Sequence, residues 1–224
     1  TLETHWNGVG PMVIDLKKLR ASLGPIYYIE GIGLSSNVYV IGEKEITLID
    51  TGAGDEMNRL KETMERSGLS AKDLSKVILT HSHPDHIGGL IDLIMASSPT
   101  ILIHPVEAEY LDLDEALIMK IVEGDVIETP GHRLTVIHTP GHTAGSICLY
   151  DSDSRILFSG DTVFTNGAFG RTDLPTGNAK AMKESLRRLT ELNIDSLLPG
   201  HEEPVTENGN THVKLSYEMA RAYF

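Results

Sequence analysis

The sequence contains one cysteine, Cys148, so no disulfide can form within the chain, and this scarcity fits a reducing compartment. Basic charge is scarce as well: 19 lysines and arginines stand against 32 aspartates and glutamates, for a formal net charge of -13. Proteins that bind a phosphate backbone present a basic patch or stripe, so we expect no nucleic-acid partner and a small-molecule substrate instead. Long apolar runs are also missing. Stretches such as residues 77–79 and 101–103 fall far short of the roughly 20 residues a membrane span needs, and we expect no membrane partner. Residues 1–8 carry neither a basic nor an apolar leader segment, and the expectation is a cytoplasmic protein. Nothing in the pattern bears on oligomeric state.

What is present is an ordinary globular composition, 40% hydrophobic and 23% charged over 224 residues, with enough chain to bury a substantial core. One stretch concentrates the chemistry. Residues 76–80 read as a buried strand and residues 87–96 as a helix, and the turn between them holds His81, His83, Asp85 and His86. Side chains alternate along an extended segment, so His81 and His83 share a direction, while Pro84 stiffens the turn that swings Asp85 and His86 around. Imidazole and carboxylate donors suit borderline and harder divalent metals, ferrous iron included. The bland alternative is a polar turn capped by Asp85.

Taken in order, the chain starts as a meander: residues 11–14, 26–30, 37–41 and 45–49 read as short strands separated by glycine turns at Gly31, Gly33 and Gly42. Residues 55–66 then carry the Met57, Leu60, Met64 spacing of an amphipathic helix. Asp50, where a strand meets a glycine turn, could bind metal, but it reads better as a brace that accepts hydrogen bonds from backbone donors. Residues 100–104 read as a strand ending in a structural His104. Residues 105–123 read as a helix with Met119 on its apolar side and Gly124 as its stop, a candidate cover for the site mouth.

The second half repeats a strand running into a turn. Residues 133–138 lead to His142 through Pro140 and Gly141, residues 155–160 lead to Asp161, and residues 195–199 lead to His201 after a helix over 179–192. Residues 146–150 form a strand that makes Cys148 a core residue. His132 and His138 read as packing or surface residues, and His5 and His212 as exposed groups near the termini. Tyr27 and Tyr28 alternate, so at most one faces any site. Four strand ends thus deliver seven potential ligands, His81, His83, Asp85, His86, His142, Asp161 and His201, enough for two ions sharing one carboxylate.

With His81-Ser-His-Pro-Asp-His86, Thr139-Pro-Gly-His142-Thr, Ser159-Gly-Asp161-Thr and Pro199-Gly-His201 in this order, the chain resembles the metallo-β-lactamase fold superfamily over residues 25–205. Within it, the chain is most similar to glyoxalase II, the hydroxyacylglutathione hydrolases, and their shorter relatives. The resemblance implies an α+β fold, a four-layer αββα sandwich with the site at one edge, which we take as one domain over residues 1–224. It implies one metal on His81, His83 and His142, a second on Asp85, His86 and His201, and Asp161 bridging them, with Asp85 also helping to move protons. Two divalent ions are expected, zinc first, iron or manganese as alternatives. The implied activity is hydrolysis of a small thioester or ester by a hydroxide held between the ions.

Other members suggest other outcomes. Persulfide dioxygenases share the fold and the Gly170-Arg-Thr-Asp173 segment, and resemblance to them implies a single iron on His81, His142 and Asp161. A lactonase would use the same seven ligands. A flavin-coupled di-iron protein would carry Glu where His83 stands, a nuclease fits the acidity poorly, and a purely structural metal site would be a closed cage, often rich in cysteine. The sequence after His201 holds one helix-like stretch, over residues 211–224, where glyoxalase II has a longer helical extension that helps bind glutathione, so the resemblance leaves glutathione recognition open. Arg171 could bind an acidic substrate group or pair with Asp173, and we favour the pairing. Residues 165–170 are expected to line the pocket, with Phe169 as an apolar wall.

Overall fold

Largely apolar runs such as Val38–Ile41, Ile156–Gly160 and Ser196–Pro199 form strands buried along their whole length, which requires cover on both faces. A computed structural model, which describes residues 13–54 and 57–224, supplies that cover as four layers. The first sheet runs in chain order through β1 (Val13–Asp15), β2 (Ile26–Ile29), β3 (Val38–Ile41), β4 (Ile46–Ile49), β5 (Leu74–Ile78), β6 (Thr100–Ile103) and β7 (Ile118–Lys120). Its first four strands pair antiparallel and the pairs from β4 to β7 are parallel. The second sheet contains β8 (Val126–Thr129), β9 (His132–His138), β10 (Ile147–Asp151), β11 (Ile156–Gly160) and β12 (Ser196–Pro199) in the order β12-β11-β10-β9-β8. Only its β11–β12 pair is parallel.

Period-two alternation sorts the strand residues into layers. Tyr39, Ile49, Ile78, Leu134, Leu149, Phe158 and Leu198 fill the space between the sheets. The alternate residues Val38, Val40, Leu48 and Val77 face outward, against Leu60 and Met64 of α1 (Met57–Arg66) and Leu90 and Leu93 of α3 (Leu90–Ser97). On the other side Cys148, Leu157 and Leu197 meet Met182, Leu186 and Leu189 of α5 (Ala179–Leu189) and Val213 and Ala220 of α6 (Gly209–Tyr223). This is the αββα arrangement the resemblance implies. The expected helix start at Asp55, residues 11–12 of the first strand, and His5 lie outside the described residues.

Two expectations need correction. The helix over 87–96 is two helices, α2 (Pro84–Ile87) and α3, because the chain must pass close to a neighbouring loop at Gly88. A Cβ there would lie 2.2 Å from the Ala53 carbonyl carbon. Residues 105–123 are not one helix either. α4 (Pro105–Ala108) is a single turn, Asp114 caps a second short turn over Glu115–Leu117, and Ile118 then enters β7. Pairing with β6 outweighs the helical periodicity, Met119 is exposed, and no part of this segment lines the site cavity.

Candidate metal centre

Five strands, β4, β5, β9, β11 and β12, end at one edge of the sandwich, and the turns that follow them carry Asp50, residues 80–86, His142, Asp161 and His201. Hydrogen bonds across the sheets hold these turns in register. Asn37 donates its backbone N–H to the Gly200 carbonyl at 2.7 Å, the Tyr39 hydroxyl donates to the Pro199 carbonyl at 2.8 Å, and the Ile147 N–H donates to the Thr80 carbonyl at 3.0 Å. Gly200 must be glycine on grounds of space, since a Cβ there would sit 2.4 Å from Asp161 Oδ1 and 2.8 Å from His86 Cε1.

All seven expected residues come together. His81 Nε2 and His142 Nε2 lie 3.0 and 2.9 Å from His83 Nδ1, three basic nitrogens aimed at one point. A second group forms around His86 Nε2, which is 3.8 Å from Asp85 Oδ2, while His201 Nε2 is 3.2 Å from the same carboxylate oxygen. Asp161 stands between the groups, 3.2 Å from His86 Nε2 through Oδ1 and 3.4 Å from His142 Nε2 through Oδ2.

The outward-facing ring nitrogens are committed elsewhere. His86 Nδ1 donates to Asp50 Oδ2 at 2.8 Å, and His142 Nδ1 donates to the Arg171 carbonyl at 2.8 Å. The Thr80 hydroxyl gives its proton to Asp50 Oδ2 at 2.8 Å, so toward His81 Nδ1, 3.1 Å away, it acts as acceptor. Nδ1 of three imidazoles is thereby engaged away from the centre, which leaves Nε2 as the ring nitrogen each can offer to an ion. Asp50 braces the neighbouring loop as expected, accepting the Thr80 backbone N–H at 2.8 Å, but it also grips two side chains, and it does so from a left-handed backbone (φ 58).

The electrostatics divide the cluster. Burial, reinforced by the surrounding imidazoles, pushes His81 well below the usual histidine range, and His83 is lowered for the same reasons. Burial also opposes charge on His86, yet Asp161 and Asp50 outweigh it and raise His86 well above that range. Asp85 is lowered to about 2: partial burial works against its charge, but the His201 hydrogen bond and the nearby His86 prevail. Two buried atoms in the cluster, His86 Nε2 and Asp161 Oδ1, have no hydrogen-bond partner. Buried polar atoms are nearly always satisfied, so a cation lying between these groups fits what the donors need. Nitrogen and carboxylate donors without thiolate suit zinc, iron or manganese and do not choose among them.

The cluster floors a cavity of about 800 Å³ with walls of Leu34, Phe164, Phe169 and Leu174. Phe169 is there as expected; Leu34 and Phe164 carried no sequence signal. Arg171 reaches the rim, but its guanidinium pairs with Asp173 at 2.8 and 2.7 Å, the structural alternative. Tyr27 and Tyr28 both miss the cavity. His104 caps α4 and stacks on His138 at 4.4 Å, and His132 is buried against Asp151. His212 is half-buried and accepts the Asn166 N–H at 2.9 Å, which corrects its reading as exposed. Cys148 is fully buried, with its thiol raised to about 11 by that burial, and is no nucleophile.

Among the described residues, no helix is long and apolar enough to cross a membrane. A probable metallo-hydrolase of Methanocaldococcus jannaschii is 36% identical to this chain over 85% of it and 98% of the relative. The acyl-coenzyme A thioesterase MBLAC2 of Bos taurus is 30% identical, over 75% and 74% of the two chains. A hydroxyacylglutathione hydrolase of Cereibacter sphaeroides is 32% identical, over 74% of this chain and 60% of that one. The solved structure of TTHA1623 in a di-iron-bound form aligns with a TM-score of 0.66 and 27% identity over 94% and 97% of the two chains. Residues 31–201 match the model of the Metallo-beta-lactamase superfamily, and the chain belongs to that superfamily.

Proposed function

We propose that the chain is a binuclear metallohydrolase that cleaves a small thioester or ester. The observation that carries this reading is the convergence of seven ligand atoms, two of them buried and unpartnered, at the floor of an apolar-walled cavity. His81, His83 and His142 would hold one ion, Asp85, His86 and His201 the other, and Asp161 would contact both. Ions so held supply a water whose pKa falls to about 7 and a Lewis acid for the carbonyl oxygen. The residues do the rest. Leu34, Phe164, Phe169 and Leu174 give an acyl group an apolar wall and exclude water from it. Asp85, ionised at neutral pH and 3.2 Å from His201 Nε2, is placed to accept and pass on a proton at the cavity floor. Relatives named as an acyl-coenzyme A thioesterase and a hydroxyacylglutathione hydrolase support a thioester, with zinc as the first expectation and iron kept open by the di-iron relative.

The competing reading is an iron-dependent persulfide dioxygenase, and its support is that His81, His142 and Asp161 alone form a two-histidine, one-carboxylate set. Elemental mass spectrometry of protein purified without added metal, run beside thioester hydrolysis and oxygen uptake with a glutathione persulfide, separates the two. Close to two ions per chain with thioester cleavage and no uptake is expected. One iron with persulfide-dependent uptake, retained at full rate in His201→Ala, overturns the hydrolase.

A further inference from the structure

Glu107 is a buried carboxylate, 1% exposed, that lies outside the seven ligands and in a segment the site otherwise does not use. Its two oxygens are divided between two turns. Oε2 accepts the Ser82 backbone N–H at 2.9 Å and the Ser82 hydroxyl, and Oε1 accepts the Gly145 backbone N–H at 2.9 Å. Ser82 is the residue between His81 and His83, and Gly145 closes the turn that presents His142. One side chain from α4 therefore ties together the two turns that carry the three converging imidazoles. The fit is close: a Cβ on Gly145 would stand 2.7 Å from Glu107 Cγ and 2.9 Å from His104 Nδ1.

We propose that Glu107 is the positioning residue of the His81, His83 and His142 group, the counterpart of Asp50 on the His86 side, and that it sets the metal affinity of that group without touching the ion. The inference rests on the reading of that triad as a metal site. A carboxylate that accepts three hydrogen bonds in a buried place is hard to replace. Gln offers one acceptor and one donor, so it must turn an N–H toward Ser82 or Gly145 and leave a backbone donor unmet. The loss falls on the backbone of one ligand turn, and misplaced imidazoles lose affinity more than the fold loses stability.

The test is metal binding, read independently of turnover. Metal-stripped wild-type, Glu107→Gln, Ser82→Ala and His81→Ala proteins are titrated with zinc against a chromophoric chelator, and with cobalt(II) to follow the ligand-field bands of each site. Glu107→Gln is expected to weaken one of the two affinities by roughly 10- to 100-fold, the range of losses for outer hydrogen-bond partners of a ligand, and to leave the other unchanged. Ser82→Ala is expected to weaken the same affinity less, having lost one of three donors. If Glu107→Gln does not fold, the Ser82→Ala result decides. Wild-type affinities in both variants, or equal losses at both sites with a lowered melting temperature of the metal-stripped protein, overturn the proposal. If His81→Ala removes one site while Glu107→Gln and Ser82→Ala change neither, the positioning role alone fails. If His81→Ala binds zinc as the wild type does, the metal reading of the triad fails and the proposal falls with it.

Discussion

Two buried histidine–aspartate pairs sit in this sandwich and look alike up close. His86 donates Nδ1–H to Asp50 at 2.8 Å, His132 donates Nδ1–H to Asp151 at 2.7 Å, and in both the far ring nitrogen is buried without a partner. The difference lies one step further out. His86 Nε2 looks onto Asp161 at 3.2 Å and Asp85 at 3.8 Å, inside a cluster of imidazoles, whereas His132 belongs to none of the metal-capable groups found among the described residues. Asp151 spends its other oxygen on the backbone N–H groups of Asp153 and Ser154, closing a turn. The same dyad thus orients a candidate ligand in one place and anchors a turn in the other. What decides is the company of the second nitrogen, not the pair itself.

The strongest way to break the comparison is to remove what His86 faces and His132 lacks. Asp161→Ala takes away the one carboxylate in reach of both ligand groups, and hydrolysis is expected to fall by more than the roughly 100-fold that loss of an outer partner costs. Steady-state kcat/KM with a thioester, together with metal content per chain, checks this; near-normal activity at normal metal content would remove Asp161 from the centre. Asp50→Asn is the next step down. It keeps the volume but offers an N–H2 where His86 Nδ1–H and the Thr80 hydroxyl need acceptors, and a zinc affinity lower by roughly 10- to 100-fold is expected from competition with a chelator. The corresponding Asp151→Asn should leave both zinc affinities untouched.

This comparison also shows what could be read from the chain and what could not. The convergence of the seven candidate ligands was legible because each follows a short apolar strand at a turn marked by glycine or proline, so local pattern and placement coincide. Most strands were legible for the same reason. Glu107 was not, because its partners lie 25 and 38 residues away and its own neighbourhood has a helical period. That period also misled the reading of residues 105–123, where an edge-strand pairing with β6 prevails over local preference. His132 was read as packing or surface, which missed the aspartate 19 residues away that makes it a buried anchor. Zinc against iron is not written in the donor set at all, since imidazole and carboxylate accept both.

His132→Ala should be the quieter counterpart. It strips Asp151 of one partner inside the fold, and a loss of about 1–3 kcal/mol in urea unfolding is expected for a buried group left short of a hydrogen bond. Activity per metal-loaded chain should stay at the wild-type value. A loss of metal from this variant would show that the two pairs are not separable.

The smallest effect is the most discriminating, because it sets two imidazoles of the cluster against each other in the metal-stripped protein. His86 has a folded pKa raised above its unfolded value of about 6.5, so its contribution to stability is complete below that pH and is lost as pH rises toward the folded value. His81 has a folded pKa well below the same reference, so its contribution is complete above about 6.5 and is lost as pH falls below it, with half-buried His83 acting in the same direction. Stability of the metal-stripped chain should therefore peak near neutrality, with limbs of opposite slope on either side. The depressed Asp85 adds a separate loss only in the acid window that runs down to about 2. His81→Gln should flatten the acid limb and His86→Gln the alkaline one in urea melts across that range. A metal bound through His86 must displace its proton, so zinc affinity at that site should rise with pH by up to about tenfold per unit below the folded pKa, while the triad site, where the pKa values of His81 and His83 are lowered, should show a shallower rise. Equal slopes at the two sites would mean that Asp50 and Asp161 do not hold His86 charged, and the distinction drawn between the two dyads would lose its electrostatic half.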